Sequence, residues 1–280
     1  MAVSTSSSGI GGLLPEQIHQ LIVQPVERQS VAFQATTIWS TDSTTAKFPI
    51  VTADPSAAWT PEGQEITPSD QDFDELEVTP KKVAGLTIVT NELAADSNPN
   101  ALNIVGAGLV RDIVAKVDSA FFGVTVPNGP NGIGGTLHQT VDIGSGITNT
   151  DVFAEAISKA ENVGAQITSF VTHPDTALEL AKLKEASGSN KPLLGPDPSA
   201  PGARTVLGVP LLTSPYVTNG DIWGIPRDYS FTVLRNDTSL AISEDAYFSS
   251  DRVGVRATMR VAFAFPHETA VVRIGVPSGS

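Results

Sequence analysis

The segment that most restricts the fold of this chain is WTPEGQEITPSDQDFDELEVTPKK, residues 59–82. It contains seven acidic residues and no basic residue before Lys81. Acidic and apolar residues roughly alternate through its second half, which is the period of an exposed strand and not of a helix. We therefore predict that residues 45–90 form a long two-stranded excursion with a polar, proline-containing tip near residues 60–70. Its large apolar side chains are few: Trp59, Ile66, Phe73, Leu76 and Val78.

A hairpin of this composition needs a surface that it does not supply itself, because an isolated two-stranded hairpin is only marginally stable in water. The chain has 17 basic and 30 acidic residues, a net charge of −13. This balance disfavours a nucleic acid as the surface, because phosphate neutralisation dominates such binding. We expect the partner to be held by contacts other than charge.

Neither a membrane nor a secretory route is indicated by the sequence. No apolar run approaches the roughly 20 residues that cross a bilayer. The first residues, MAVSTSSSGIGG, lack the basic start and apolar core of a secretory signal. The chain has no cysteine, which excludes disulfides, thiol chemistry and zinc sites with cysteine ligands.

The first hundred residues contain several short predicted elements. Residues 1–14 are rich in Ser and Gly, as is typical of a mobile arm. Two prolines bracket a predicted helix at residues 15–23. Residues 30–52 are rich in β-branched and aromatic side chains and predict strands. Residues 81–97 predict a strand followed by a short helix.

The strongest helical pattern lies between Ala101 and Phe122. It is interrupted by Gly106 and Gly108, each of which costs about 1 kcal/mol relative to Ala in a helix. We therefore expect another backbone to approach the helix closely at these glycines. The apolar stripe is formed by Leu102, Val105, Leu109, Val110, Ile113, Val114, Val117 and Phe121.

The second half of the chain predicts an α+β arrangement with short mixed strands. Helices are expected from Thr150 or Asp151, which can cap the first turn, and from Pro174. The predicted strands are residues 169–172, 209–213, 221–224, 229–234, 253–265 and 270–276.

No motif in the sequence predicts catalysis, a metal site or a cofactor site. The glycines of NGPNGIGG follow a helix and lack the Lys of a phosphate-binding loop, so turn formation explains them. Asp70, Asp72 and Asp74 imitate the start of a calcium loop. Its sixth and twelfth positions, however, are Glu75 and Lys81, where Gly and Glu are required. The four histidines are scattered without ligand spacing. The residues therefore predict a non-enzymatic α+β protein with one projecting hairpin and no cofactor.

The order of these parts resembles that of the major capsid proteins of tailed double-stranded DNA phages, the Hong Kong 97 type. The resemblance covers about residues 15–276 and is loose at each single motif. The motifs, in the family's order, are AAWTPEGQEI, LEVTPKKVAGLTIVTNELAADS, NGPNGIGG, FVTHPDTALELAKLK, LGVPLLTSP and ISEDAYFSSDRVGVRATMRVAFAFPHETAVVRI.

The resemblance implies a division of the chain into four parts. They are an N-terminal arm (1–28), an extended loop or E-loop (45–85), a peripheral domain with a long spine helix (29–44, 86–149 and 227–265) and an axial domain (150–226 and 266–280). The E-loop would lie across a neighbouring subunit. The residues expected at that inter-subunit contact are Trp59, Glu62, Phe73, Leu76, Lys81 and Lys82.

The resemblance also implies partners and a location. The chain would assemble with itself in the host cytoplasm, as pentamers and hexamers, into the icosahedral head of a virion. Portal, scaffold and cement or decoration proteins are further expected partners, and packaged DNA would be enclosed without specific contacts. An encapsulin-type compartment shell and a small soluble α+β enzyme remain as alternatives.

Some relatives join their subunits by an isopeptide bond between a Lys near the hairpin tip and an Asn of a neighbour. Glu65 and Ile66 occupy the region where that Lys would fall, and AYFSSDRVG, the region of the acceptor, contains no Asn. We therefore expect a shell held by non-covalent contacts.

Overall fold

The structure is a computed structural model that describes residues 24–53, 59–64, 72–90, 100–144, 146–186, 188–194 and 204–276. The predicted arm and first helix, within residues 1–23, lie outside the described residues. The helix predicted after residue 90 lies outside them as well.

The described elements confirm the predicted α+β class, with α-helices and three separate sheets. The α-helices are α1 (Gln24–Gln29), α2 (Val31–Ala35), α3 (Asn100–Phe122), α4 (Asp151–Asn162) and α5 (Pro174–Lys182). The strands are β1 (Thr37–Thr41), β2 (Ala46–Ala53), β3 (Asp72–Val78), β4 (Lys81–Thr90), β5 (Gln139–Asp142), β6 (Ser169–Thr172), β7 (Thr205–Val206), β8 (Val209–Thr213), β9 (Ile222–Ile225), β10 (Phe231–Tyr247), β11 (Arg252–Ala264) and β12 (Val272–Gly275). The sheets have the strand orders β1-β10-β11-β4, β5-β12-β9-β6-β8-β7 and β2-β3.

Helix α2 occupies residues for which the sequence predicted a strand, so that prediction is wrong at its start. Ser30 caps the helix, and its hydroxyl accepts a hydrogen bond from the Phe33 N–H at 3.5 Å. The carboxylate of Asp118, in α3, accepts hydrogen bonds from the N–H groups of Val31 and Ala32, each at 3.1 Å. These acceptors satisfy first-turn N–H groups that have no partner within a helix. These hydrogen bonds outweigh the weak preference of the α2 residues for a strand.

The four-stranded sheet carries the long helix α3 on one face. Ile113, Val117 and Phe121 of the helix are buried in the same core as Met259 and Val261 of β11. Strands β10, β11 and β4 are antiparallel, whereas β1 runs parallel to β10 at the edge. The helix confirms the prediction for residues 101–122 and, at 23 residues, spans about 35 Å.

Among the described residues, no other backbone approaches Gly106 or Gly108 of α3 as the sequence predicted. A Cβ added at Gly106 would meet no described atom within 4 Å, and one at Gly108 would meet only the Arg111 Nη2 at 3.8 Å. The close approach lies instead at Gly85 of β4, where a Cβ would stand 2.9 Å from the Leu109 Cδ2. Leu109 of α3 therefore packs directly on the backbone of β4.

The glycine-rich loop that follows α3 closes the end of the helix. The Gly132 N–H donates to the Val124 carbonyl at 3.2 Å, and the Gly134 N–H donates to the Gly123 carbonyl at 3.1 Å. A Cβ at Gly132 would clash with the carbonyl oxygens of Ala120 and Gly123. The predicted turn role of these glycines is confirmed, with close packing on the helix terminus as its physical reason.

The hairpin is shorter than the predicted excursion of residues 45–90. Strands β2 and β3 pair with each other, with Phe48 opposite Leu76, whereas β4 pairs with β11 over its whole length. The prediction is therefore wrong for residues 81–90. The alternating side chains Val83 and Val89 pack towards the core on the α3 side of the sheet, and this burial is not available in an isolated hairpin.

The six-stranded sheet and the helices α4 and α5 surround a second core that includes Phe153, Phe170, Ile222 and Ile274. The predicted strands at residues 169–172 and 209–213 and the helix start at Pro174 are confirmed. Strand β10, predicted to end at Leu234, continues to Tyr247. Its pairing with β11, which continues to Arg252, explains this length. Strand β5 belongs to this sheet through its pairing with β12, so the expected domain limit at residue 149 falls after that strand.

Candidate assembly surfaces

The root of the hairpin is fixed to its own chain by apolar packing. Phe48 and Leu76 lie in one cluster with Val233, Ala262 and Ala264, on the face of the four-stranded sheet opposite α3. Phe48 also contacts Phe231, with ring centroids 5.1 Å apart. Leu76 is half-buried here by its own chain, so its packing does not require a neighbour.

The tip of the hairpin presents its side chains to solvent. The Gln64 N–H donates to the Pro61 carbonyl at 3.2 Å, and Gly63 has a φ of +83°, which a turn with Gly at its third position requires. Trp59 is fully exposed, with 104% of its reference surface accessible, and Glu62 is exposed beside it. A Trp side chain usually buries 150–250 Å² in a protein, so this one has no partner surface among the described residues.

Strand β3 is acidic and exposed at Asp74, Glu75 and Glu77. Its described cation is Lys47 of β2, which lies 2.7 Å from the Glu75 carboxylate. The backbone of Phe73 pairs with Val51, and the Phe73 side chain lies outside the described residues. Among its described side chains, β3 therefore buries apolar surface only at the hairpin root, through Leu76 and Val78.

Lys81 and Lys82, expected at the same contact, lie in β4 at the hairpin root and are exposed. They point to opposite faces of the sheet, because they occupy adjacent positions of one strand. Lys81 borders a cleft of about 360 Å³ between the hairpin root and the glycine-rich loop, lined also by Leu76, Gly132 and Glu268. The six expected contact residues thus occupy three places: the tip, β3 and the root.

The four-stranded sheet has a basic face that was not predicted from the sequence. We define the basic face by Lys82, Leu86 and Ile88 of β4 and by Arg252, Arg256 and Arg260 of β11. All six point away from α3, since Lys82 lies opposite Arg260 and Leu86 lies opposite Arg256 in the register. The spacing of four between the arginines within an alternating strand was the signal that could have revealed it.

The titratable groups that the protein buries have structural partners. Burial raises the pKa of the Asp118 carboxyl, although hydrogen bonds from Ser30, Ala32 and Val31 act in the opposite direction. Burial lowers the pKa of His138, whose ring packs edge-on against Trp223 with the ring centroids 4.8 Å apart.

Within the described part of the chain, no cluster of three or more His, Cys, Asp or Glu side chains is placed to hold a metal ion. None of the described helices has the length and apolarity required to span a bilayer.

The fold is that of phage capsid proteins, as comparison with solved structures shows. A chain from Microbacterium phage Oxtober96 is similar with a TM-score of 0.70 and 19% identity, covering 95% of this chain and 90% of that one. A chain from Mycobacterium phage Bobi has a TM-score of 0.71 and 16% identity, covering 100% and 96%. A chain from the capsid of a native GTA particle has a TM-score of 0.68 and 16% identity, covering 99% and 95%.

A search of curated protein sequences found no significant match. The model of the phage capsid family, in contrast, matches residues 11–275. The chain therefore belongs to the phage capsid family. It is a major capsid protein, a structural component of the virion shell that assembles with itself, and not an enzyme. The resemblance found in the sequence is thus confirmed, and the alternative of a small soluble enzyme is wrong.

Proposed function

We propose that the protein forms the icosahedral head shell as pentamers and hexamers in which each hairpin clamps a neighbouring subunit. The observation that carries the proposal is the fully exposed Trp59 of an acidic hairpin whose described packing on its own chain lies at the root. Aromatic side chains such as Trp are enriched at the contacts between proteins, so the exposed Trp59 is suited to a partner surface.

The sheets support a division of the chain into working parts. The peripheral domain comprises the four-stranded sheet with α3, the axial domain comprises the six-stranded sheet with α4 and α5, and the extended loop comprises the β2–β3 hairpin. This division keeps the expected parts and places β4 with the peripheral domain and β5 with the axial domain, in accordance with their pairing.

The remaining partners follow from the role of a head shell. A portal, a scaffold and cement or decoration proteins join the shell, and assembly takes place in the host cytoplasm. The net charge of −13 supports a shell that encloses DNA without binding it tightly.

Removal of the hairpin tip tests the clamp. Residues 54–71 are replaced by Asn-Gly, which can join Ala53 to Asp72 in a two-residue turn and so retains the β2–β3 pairing. We expect folded subunits with unchanged thermal unfolding, because the apolar cluster at the root is retained, and no closed shells in sedimentation velocity or electron microscopy. Particles of normal size from this variant would overturn the clamp.

A further inference from the structure

The chain contains three Asn-Gly pairs, at residues 128–129, 131–132 and 219–220. Spontaneous deamidation occurs most readily at an Asn that is followed by Gly, because Gly leaves the next backbone nitrogen unhindered and free to turn. That nitrogen loses its proton and attacks the Asn Cγ, so that a succinimide ring closes, the Cγ–Nδ2 bond breaks and ammonia leaves. Water then opens the ring at either carbonyl and yields Asp or isoaspartate. The surroundings of each pair therefore decide whether the reaction can proceed.

The third pair, Asn219–Gly220, lies in a tight turn that leads into β9. The Asp221 N–H donates to the Thr218 carbonyl at 3.1 Å across this turn. Gly220 has a φ of +90°, and a turn of this kind favours Gly at its third position. The conformation of the turn thus selects Gly at position 220, and with it a reactive dipeptide.

One side chain holds both reacting groups of this pair. The hydroxyl of Thr176, in the first turn of α5, donates to the Asn219 Oδ1 at 2.8 Å and accepts the Gly220 N–H at 2.9 Å. The Gly220 nitrogen must leave this hydroxyl before it can lose its proton, and the Asn219 amide must leave it before it can rotate towards that nitrogen. Thr176 is buried, and breaking the hydrogen bonds of a buried hydroxyl leaves it unsatisfied, at a cost in free energy.

The first two pairs are held differently. The N–H groups of Gly129 and Gly132 donate to the backbone carbonyls of Val126 and Val124, at 2.9 and 3.2 Å. These contacts restrain the nitrogen through the backbone, so that no substitution of a side-chain hydroxyl can remove them.

We propose that Asn219 is a latent site of spontaneous deamidation and that the Thr176 hydroxyl suppresses the reaction. The turn is followed at once by Asp221, whose carboxylate accepts a hydrogen bond from the Arg273 Nη2 at 2.9 Å. Isoaspartate at position 219 would add a carbon to the backbone just before this ion pair, and either product would add a negative charge beside it. Thr176 therefore preserves the pairing of β9 with β6 and β12. The inference does not depend on the proposed clamp, because none of these residues belongs to the hairpin.

Removal of the hydroxyl tests the inference. Folded subunits of wild type and of Thr176→Val are kept at mildly alkaline pH, which favours loss of the amide proton, and peptide mass spectrometry measures the conversion of Asn219. Conversion should be roughly tenfold faster in Thr176→Val, because the loss of one or two hydrogen bonds of ordinary strength allows a factor of this size. Thr176→Ser, which retains the hydroxyl, should convert at the wild-type rate. An unchanged or slower rate in Thr176→Val would overturn the inference, since the hydroxyl would then be inert or would activate the amide.

Asn128 is the internal reference in the same samples, because the nitrogen that follows it is held by a backbone carbonyl. Its conversion should be the same in wild type, Thr176→Val and Thr176→Ser. Equal acceleration at Asn128 and Asn219 in Thr176→Val would show that the whole subunit has loosened, and would contradict a specific role of the hydroxyl.

A comparison within the wild-type chain does not depend on how well the variants fold. In urea, where the turn and α5 are separated, Asn219 and Asn128 should convert at similar rates, since Gly follows each of them. In the folded subunit, Asn219 should convert roughly tenfold more slowly than in urea, because both of its reacting groups are then held. Equal rates at Asn219 in the folded and the unfolded chain would overturn the inference.

Discussion

The hydroxyl of Ser30 donates a 2.6 Å hydrogen bond to the carboxylate of Asp118, 88 positions away in the chain. The same carboxylate accepts the N–H groups of Val31 and Ala32, so one buried side chain of α3 holds the first turn of α2. This contact joins the segment that leads in from the N-terminus to the helix that supports the four-stranded sheet.

Substitution of Asp118 by Ala should destabilise the unassembled subunit by about 2–4 kcal/mol, because it leaves buried donors without an acceptor. Asp112→Ala is the matched control, since Asp112 is exposed on the same helix. Thermal or denaturant unfolding measures both. Equal stability of the two variants would show that the contact does not stabilise α2.

The contribution of Asp118 should also depend on pH. Its folded pKa is raised above the ordinary value of 3.8 by burial. At a pH between 3.8 and the raised folded pKa, Asp118 keeps its proton in the folded state but has lost it in the unfolded state. The stability that Asp118 contributes is therefore lost as the pH rises through the folded pKa. The difference in unfolding free energy between wild type and Asp118→Ala should therefore be larger at about pH 4 than at neutral pH. A difference that grows towards neutral pH would contradict the assigned cause.

Two glycines should respond in opposite directions to substitution by Ala. Gly132→Ala forces a methyl group against backbone carbonyls and should cost about 1–3 kcal/mol. Gly106→Ala adds a methyl group in open space within a helix and should stabilise the subunit by roughly 0.5–1 kcal/mol. Unfolding of unassembled subunits measures both. A destabilised Gly106→Ala subunit would show that α3 is packed differently.

Trp59→Ala should separate assembly from folding. The side chain makes no contribution to the described core, so the unfolding temperature of the subunit should not change. The yield of shells should fall at least tenfold, because the apolar anchor of the clamp is lost. Leu137→Ala, at a position that is 78% exposed and outside the hairpin, is the matched control and should assemble normally.

Mature particles should carry no covalent links between subunits. Lys47, the described lysine of the hairpin, is tied to Glu75, and this hydrogen bond and charge raise the pKa of its ammonium group. A protonated amine is not a nucleophile, so Lys47 is poorly suited to attack an amide. After boiling in detergent, the protein should run as one band near 29.2 kDa. A ladder of multimers would show that another Lys and acceptor react.

The parts of the fold that could be predicted from the sequence are those governed by local pattern. The apolar stripe of α3 and the proline that begins α5 each determine an element from within a short window. Helix α2 could not be predicted in this way, because its acceptor, Asp118, lies in a distant part of the chain. The pairing of β4 with β11 likewise depends on contacts that no local pattern specifies.

The assembly surfaces could likewise be predicted from the sequence only in part. The hairpin followed from the alternation of acidic and apolar residues, whereas a contact role for Trp59 was implied only by the family resemblance and stays a prediction. The basic face was missed because the overall charge concealed it, and because its cations come together only when β4 and β11 pair. Net charge therefore did not predict the sign of the charge on this face.

The most direct measurement is a cryo-electron microscopy reconstruction of the shell formed by this chain, at a resolution that traces side chains. We predict pentamers and hexamers in which each hairpin crosses to a neighbouring subunit, with Trp59 in contact with that subunit. A shell in which each hairpin lies on its own subunit would contradict this prediction.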